Sequence, residues 1–306
     1  MTTEVISPHR GKPVVIGIHV NENTMREPNP HIPWTPDEIA ETARAGQDAG
    51  ASLMHVHGRT ADGGADHSAS TYGAIAQRVR AVSDLLLAPS LANLPGSTVT
   101  ERLSNLAPHQ SDPERRSDFL VIDMGCAAMD LLDPATGRYA TETKVFVNDT
   151  RTQIELLSRA EELGMKPYLT SFNVSWTRAI VAHAAARELP LPLVVAFILG
   201  GAEFPAAHPA SAAGLRAQLD LLPADLAIEW IVSAYRGNVL EAAEEAVKRG
   251  GHVAIGAGDY HYAELGYPST PELVSEVAAI ARRYGREPAT PEQARRILGV
   301  DVHAHS

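Results

Sequence analysis

The chain has 306 residues, 44% hydrophobic and 21% charged, an ordinary globular composition that neither a disordered nor a fibrous protein would have. Its formal net charge is −11 and no Lys/Arg block interrupts it, which argues against nucleic acid or an anionic membrane surface as the main partner and leaves room for a local basic pocket. The lone Cys126 excludes an intrachain disulfide, the N-terminus lacks a secretory pattern, and no apolar run approaches the roughly 20 residues a spanning helix needs, so a cytoplasmic protein is expected.

Val14 to Val20 is a β-branched run that reads as a first buried strand, followed by the polar loop Asn21-Glu22-Asn23-Thr24. Pro28, Pro30 and Pro33 keep the next stretch extended. Thr35-Pro36-Asp37-Glu38 starts a helix, with Thr as N-cap, Pro at the first position and acids in the first turn; it runs to about Ala49 and stops at Gly50. The second strand is Leu53-Met54-His55-Val56-His57. Side chains alternate on a strand, so Leu53, His55 and His57 share one face and Met54 and Val56 the other.

The alternation continues. Helices are predicted over 72–82, 98–106, 150–163, 174–189, 211–221, 239–249 and 270–284, with a terminal helix over 291–298. Strands are predicted over 85–89, 119–124, 166–170, 193–199, 226–233 and 253–256. Residues 134–147 are ambiguous, with a turn at Gly137 and a minor strand over 144–147. Eight strand–helix alternations predict a (β/α)8 TIM barrel forming one domain over 1–306, with a C-terminal helical extension from about residue 286. A doubly wound open sheet is the alternative, weakened because no Gly-rich dinucleotide fingerprint follows the first strand.

A barrel of this class carries its chemistry at the carboxyl ends of the strands. That rule selects His19, Asn21 and Asn23 after the first strand, and His55, His57 and Arg59 after the second. It then selects Ser90 and Asn93, Asp123 and Cys126, and Thr170, Ser171 and Asn173. Glu203, Ser233, Arg236, Asp259 and His261 complete the ring. Each also has a bland reading. His19 can be a core histidine, Asn21 and Asn23 can shape a loop, and Arg59, Glu203 and Arg236 can be rim charges. Cys126 has no acidifying neighbour and reads as a small buried residue. His252 falls at the wrong end of its strand. Asp259 stands out, because Gly256-Ala257-Gly258 is a permissive backbone delivering an acid to the mouth. Two histidines with one or two acids at a barrel mouth make a site for zinc or a similar divalent ion.

Two stretches, Asn29-Pro-His-Ile-Pro-Trp-Thr-Pro-Asp-Glu-Ile-Ala40 and Asp48-Ala-Gly-Ala-Ser-Leu-Met-His-Val-His-Gly-Arg59, resemble the β-keto acid cleavage enzymes. The likeness resumes at Gly250-Gly-His-Val-Ala-Ile-Gly-Ala-Gly-Asp259 and continues through Glu264 to Val274. The resemblance implies a zinc-dependent TIM barrel, typically a homo-oligomer. It implies a reaction of acetyl-CoA with a β-keto acid that gives a new acyl-CoA and acetoacetate, without a cysteine or lysine nucleophile. His55 and His57 match the family's histidine ligands, and Asp259 matches an acid of its proton-transfer network. The family's third ligand is a Glu where this chain has Gly258, and a family Arg on the last strand is Ala254. Tyr168, Leu169 and Thr170 stand where acids usually follow the fifth strand's Lys-Pro, and Cys126 and Ala128 replace a polar pair. Asp259, His261 or Glu203 could complete the metal site, and Asp259 is chosen because the flanking glycines let the backbone shift. The expected assignment is therefore His55, His57 and Asp259 for the metal, Asp259, Ser90 and Arg59 for catalysis, and Asn21, Asn23 and Arg236 for substrate. A CoA-independent metal-dependent lyase or hydrolase is the alternative, and a metal-free relative that only binds a small acid is a third reading.

Overall fold

The structure is a computed structural model and describes residues 8–92 and 96–300. Eight parallel strands form its centre: β1 (Ile16–His19), β2 (Leu53–Val56), β3 (Leu86–Pro89), β4 (Phe119–Asp123), β5 (Lys166–Ser171), β6 (Leu193–Gly200), β7 (Ile228–Tyr235) and β8 (His252–Ile255). Their hydrogen-bonded order is β3-β2-β1-β8-β7-β6-β5-β4, with β1 and β8 paired, so the sheet curls into the expected TIM barrel. At the remaining seam Asp118 N donates to Leu87 O at 3.0 Å, and Leu87 N donates to Asp118 Oδ2 at 2.8 Å. Asp118 is anchored by Arg80 at 3.2 Å and Arg295 at 3.0 Å, which stitches the seam from outside the ladder.

Helices α1 (Pro36–Ala49), α2 (Ala69–Arg80), α3 (Val99–Arg102), α4 (Thr150–Glu162), α5 (Val174–Ala186), α6 (Ala212–Leu219), α7 (Leu240–Lys248) and α8 (Thr270–Arg283) follow the strands in order. The start of α1 is built as the sequence predicts: Thr35 and Glu38 form a capping box, and Gly50 ends the helix in the left-handed region at φ 116°. Helix α2 begins earlier than the apolar periodicity suggests, because the Ser68 side chain accepts from Thr71 N and caps it there. The helix predicted over 98–106 closes after one turn, and a 3-10 turn follows at Ala107–His109, where Pro108 cannot continue α-helical bonding. The ambiguous stretch after β4 forms two short antiparallel ladders, Ala127–Ala128 with Val145–Phe146 and Leu132–Asp133 with Arg138–Tyr139. Its Met129, Leu131 and Phe146 pack on Phe172, Trp176 and Phe204 beside the mouth.

Strand alternation divides the apolar residues into two layers. Ile16, Ile18, Met54, Val56 and Leu87 face the helices, whereas Val15, Leu53, Leu86, Phe119, Val194 and Ile231 fill the barrel interior. Helix α9 (Pro291–Ile297) closes the amino-terminal end of the barrel, with Ala289, Ala294, Leu298 and Val300 packed on that interior cluster. Arg286 is fully buried there, donating to the carbonyls of Lys12 and Val247 at 2.8 Å each and of Pro13 at 3.2 Å. His252, at the start of β8, accepts from Val15 N at 3.0 Å through Nδ1, so its Nε2 carries the proton donated to Glu229 at 3.0 Å. Lys12 reaches the same carboxylate at 2.7 Å. The amino-terminal end is thus a structural floor, and the opposite end is left for chemistry. Among the described residues no helix is long and apolar enough to cross a membrane.

Candidate functional site

Register brings the inward side chains of adjacent strands together at the carboxyl end. His19 pairs with His55 across β1 and β2, and Asp123 pairs with Thr170 across β4 and β5. Below them Gly17 lies between Leu53 and Ala254, with no side chain of its own to fill the interior.

The His55 ring is held by the Ala88 carbonyl, 2.6 Å from Nδ1, so that nitrogen carries the proton and Nε2 faces the mouth. His55 Nε2 and His57 Nε2 lie 3.1 Å apart. The third member of the cluster is Glu22, from the loop after β1. Its Oε2 lies 2.9 Å from His57 Nε2 and its Oε1 3.4 Å from His55 Nε2. These three side chains present ligand atoms that all lie within 4.8 Å of one another. Burial acts to raise the Glu22 carboxyl, but the charges and hydrogen bonds of His55 and His57 outweigh it and hold it well below the usual range. Burial likewise acts to lower His55, yet Glu22 raises it to about 9.

A second group shares the same carboxylate. Asp259 Oδ1 lies 2.9 Å from His19 Nδ1, and Glu22 Oε1 lies 3.8 Å from that nitrogen. Asp259 is buried, and desolvation pushes its carboxyl up to about 6 against the pull of His19. Asp259 Oδ2 and Ser233 Oγ are buried with no hydrogen-bond partner among the described residues. Such orphaned oxygens are expected where a ligand completes the site. Burial also pushes the Asp123 carboxyl up, although the Thr170 hydroxyl donates to it.

The sequence-selected residues divide into those that reach the mouth and those that hold it. His55, His57 and Asp259 converge there, but Asp259 groups with His19 and Glu22, not with His55 and His57. Arg59, expected to be catalytic, spends its guanidinium on backbone. Its Nη1 donates to the carbonyls of Asn21 at 3.0 Å and Glu22 at 2.7 Å, and its Nε and Nη2 donate to Gly63 O. Asn21, expected to bind substrate, clamps strand ends: Nδ2 donates to Pro33 O and His57 O, and Oδ1 accepts from His57 N at 3.0 Å. Both residues therefore position Glu22 and His57. Asn23 is exposed in the same loop. Ser90 is buried and bonded to the Tyr72 hydroxyl at 2.6 Å. Arg236 pairs with Glu203 at 2.9 Å on the rim. Cys126 is exposed, not buried as its sequence context suggests. Asn93 lies outside the described residues.

Glu22 is the residue that sequence reading passes over as loop. The signal that finds it is register. If β1 and β2 are neighbours with His19 opposite His55, then residues just past His19 come beside His57. Glu22 also adopts φ 32°, an uncommon conformation for a residue with a side chain and one that concentrates at functional sites.

Fold and site together define the class: a parallel α/β barrel with imidazoles and carboxylates gathered at the strand carboxyl ends, as in TIM-barrel enzymes. Residues 13–300 match the beta-keto acid cleavage enzyme family, and the chain belongs to that family. It is 30% identical over 278 residues to the 3-keto-5-aminohexanoate cleavage enzyme of Acetoanaerobium sticklandii, covering 90% of this chain and 93% of that one. It is 25% identical over 293 residues to the 3-oxoadipate:acetyl-CoA acetyltransferase of Cupriavidus necator, covering 94% and 95%. Among solved structures, the apo form of ObcA superposes with a TM-score of 0.72 at 16% identity, which shows the fold alone. That match covers 89% of this chain and 66% of the longer ObcA chain, just under two thirds of it.

Proposed function

We propose that the protein is a metal-dependent β-keto acid cleavage enzyme that converts acetyl-CoA and a β-keto acid to acyl-CoA and acetoacetate. The observation that carries this reading is the convergence of two imidazoles and a carboxylate at the barrel mouth in a chain matched by the family along 13–300. Relatives named as acetyl-CoA transferases support the co-substrate.

The residues fit a divalent cation, zinc by preference. Zn–N and Zn–O bonds of about 2.0–2.1 Å put tetrahedral ligand atoms roughly 3.3 Å apart. The separations within the cluster are 2.9, 3.1 and 3.4 Å. Ligation needs neutral imidazole, so cation and proton compete for His55 Nε2. His55 and His57 would hold the cation, which would supply a Lewis acid for the substrate's keto oxygen.

The carbon between the keto group and the carboxylate is the acidic one, and Asp259 is the base that takes its proton. The carbanion attacks the thioester carbonyl and displaces CoA thiolate. Return of that thiolate to the former keto carbon breaks the carbon–carbon bond, the resulting acetoacetate carbanion takes back the proton held by Asp259, and acyl-CoA and acetoacetate are released. His19 holds Asp259 in place, Arg236 offers a cation to the substrate carboxylate, and Ser90 follows β3 with its hydroxyl bonded to Tyr72. The test is turnover of a panel of β-keto acids by the zinc-loaded protein with and without acetyl-CoA, read by acetoacetate release. Acetoacetate formed only with acetyl-CoA supports the reading. Turnover without it favours a CoA-independent lyase or hydrolase, and no turnover of any β-keto acid removes the proposal.

A further inference from the structure

We infer that the carboxylate ligand of the metal site comes from the loop after β1, as Glu22, and that Gly258 in the loop after β8 is the structural condition for its reaching the metal. The inference rests on the metal reading given above and specifies which residues carry it.

The end of β1 lies directly against the backbone of residues 256–258. A Cβ on Gly258 would sit 2.4 Å from Asn21 N, 2.8 Å from Asn21 Cα and 2.8 Å from Val20 C. A Cβ on Gly256 would sit 1.9 Å from His19 O. All these neighbours are backbone and cannot rotate away. The contact is also bonded: Gly258 N donates to His19 O at 3.2 Å, and Thr24 Oγ1 donates to Gly258 O at 2.5 Å. With a side chain at 258, the segment 19–24 could not occupy this place. Without one, the segment lies against the backbone after β8, and Glu22, the residue following the contact at Asn21, turns over the mouth.

Glu22 is then held in place from behind. Arg59 Nη1 grips the carbonyls of Asn21 and Glu22, and the Asn21 amide bonds both the amide and the carbonyl of His57. Loop and ligand histidine are thus one hydrogen-bonded unit. No other carboxylate among the described residues forms such a group with His55 and His57. Asp259 stays 2.9 Å from His19, with one oxygen free for proton transfer, so ligand and base are supplied by different strands. Glu203 is engaged by Arg236 on the rim.

The experiment measures Zn2+ affinity and stoichiometry by chelator competition and metal analysis, on the full chain, with circular dichroism and thermal melting to confirm folding. Glu22→Gln is close to isosteric and is expected to weaken Zn2+ binding at least tenfold. Glu22→Asp keeps the charge but withdraws it by one methylene, and is expected to fall between Gln and the native residue. Gly258→Ala is expected to weaken binding as well, because the β1 loop must retreat, although no ligand is removed. Asp259→Asn is expected to bind within about threefold of the native protein. The inference is overturned if Glu22→Gln binds Zn2+ as tightly as the native protein while His57→Ala loses it. It is equally overturned if Asp259→Asn, not Glu22→Gln, loses the metal. Undiminished binding in His57→Ala would remove the metal reading itself.

Discussion

His19 Nδ1 lies 2.9 Å from Asp259 Oδ1, a contact that joins the first strand of the barrel to the loop after its last. The other Asp259 oxygen has no hydrogen-bond partner among the described residues. The imidazole therefore fixes the carboxylate's orientation and leaves one lone-pair face for substrate. Asp259→Asn should lower kcat by about 10²–10⁴, the usual contribution of a positioned general base. His19→Asn keeps an N–H donor and should retain clearly more activity than His19→Ala. Steady-state kinetics with the cognate β-keto acid check both, and equal activity in the two His19 variants would deny the positioning role.

Arg59 makes no contact with the ligand atoms, yet its buried guanidinium ties three backbone carbonyls, those of Asn21, Glu22 and Gly63. Hydrogen bonds from a charged donor are worth about 1.5–3 kcal/mol each, and their loss strands the acceptors. Arg59→Ala should cost on the order of 3 kcal/mol in urea unfolding. Arg59→Lys should recover little, since one ammonium cannot span the forked geometry. A Lys variant with native stability would mean the fork is not needed.

Much of the fold could be read from the chain. The β-branched run at Val14 to Val20 is buried on both faces in a parallel sheet, so it reads as a continuous apolar stretch. Thr35-Pro36 and Gly50 punctuate α1 by local chemistry alone. In the excursion after β4 the turn at Gly137 and the minor strand over 144–147 were legible and are found at Gly137 and Val145–Phe146, whereas the partner segments were not, because two-residue ladders are too short to show a period and are stabilised by packing on Trp176 and Phe172. His55 and His57 were legible because a strand puts alternate residues on one face. Glu22 was not, because its partners come from another strand and only the pairing of β1 with β2 reveals them. Arg59 and Asn21 were found by position, and the structure adds that both side chains bond the backbone beside the site. Sequence shows that a polar side chain is near a strand end, not whether it points at the cavity or back at the chain.

At the floor of the barrel, burial pushes His252 down from 6.5 to about 4. Burial acts to raise Glu229, but the hydrogen bonds from His252 and Lys12 hold its carboxyl below 4.5. At both positions the unfolded chain takes up a proton at a higher pH than the folded one, so acidification favours unfolding. The His252–Glu229 contribution to stability should therefore be intact above about pH 6.5 and fall progressively toward pH 4, offset in part over the same window by Asp259, whose raised carboxyl takes up its proton first in the folded state. With about 1.4 kcal/mol per pH unit, the His252 contribution to that loss is roughly 3 kcal/mol. Urea denaturation from pH 7.5 to 4.5 measures it, and His252→Gln should flatten the slope. Parallel profiles for the two proteins would show that His252 does not carry the effect.

The bond from Ala289 N to Val14 O, at 2.8 Å, and the ladder between β1 and β8 have a consequence for how the chain is made. The strand synthesised first receives its second neighbour from the strand synthesised last, and its supporting layer from α9 beyond that. Until those residues leave the ribosome, one edge of β1 has no partner and Val15 has no floor beneath it. Contacts this distant in sequence form slowly and leave edges open to mispairing meanwhile. A nascent chain arrested before β8 presents the kind of bare strand edge that chaperones capture.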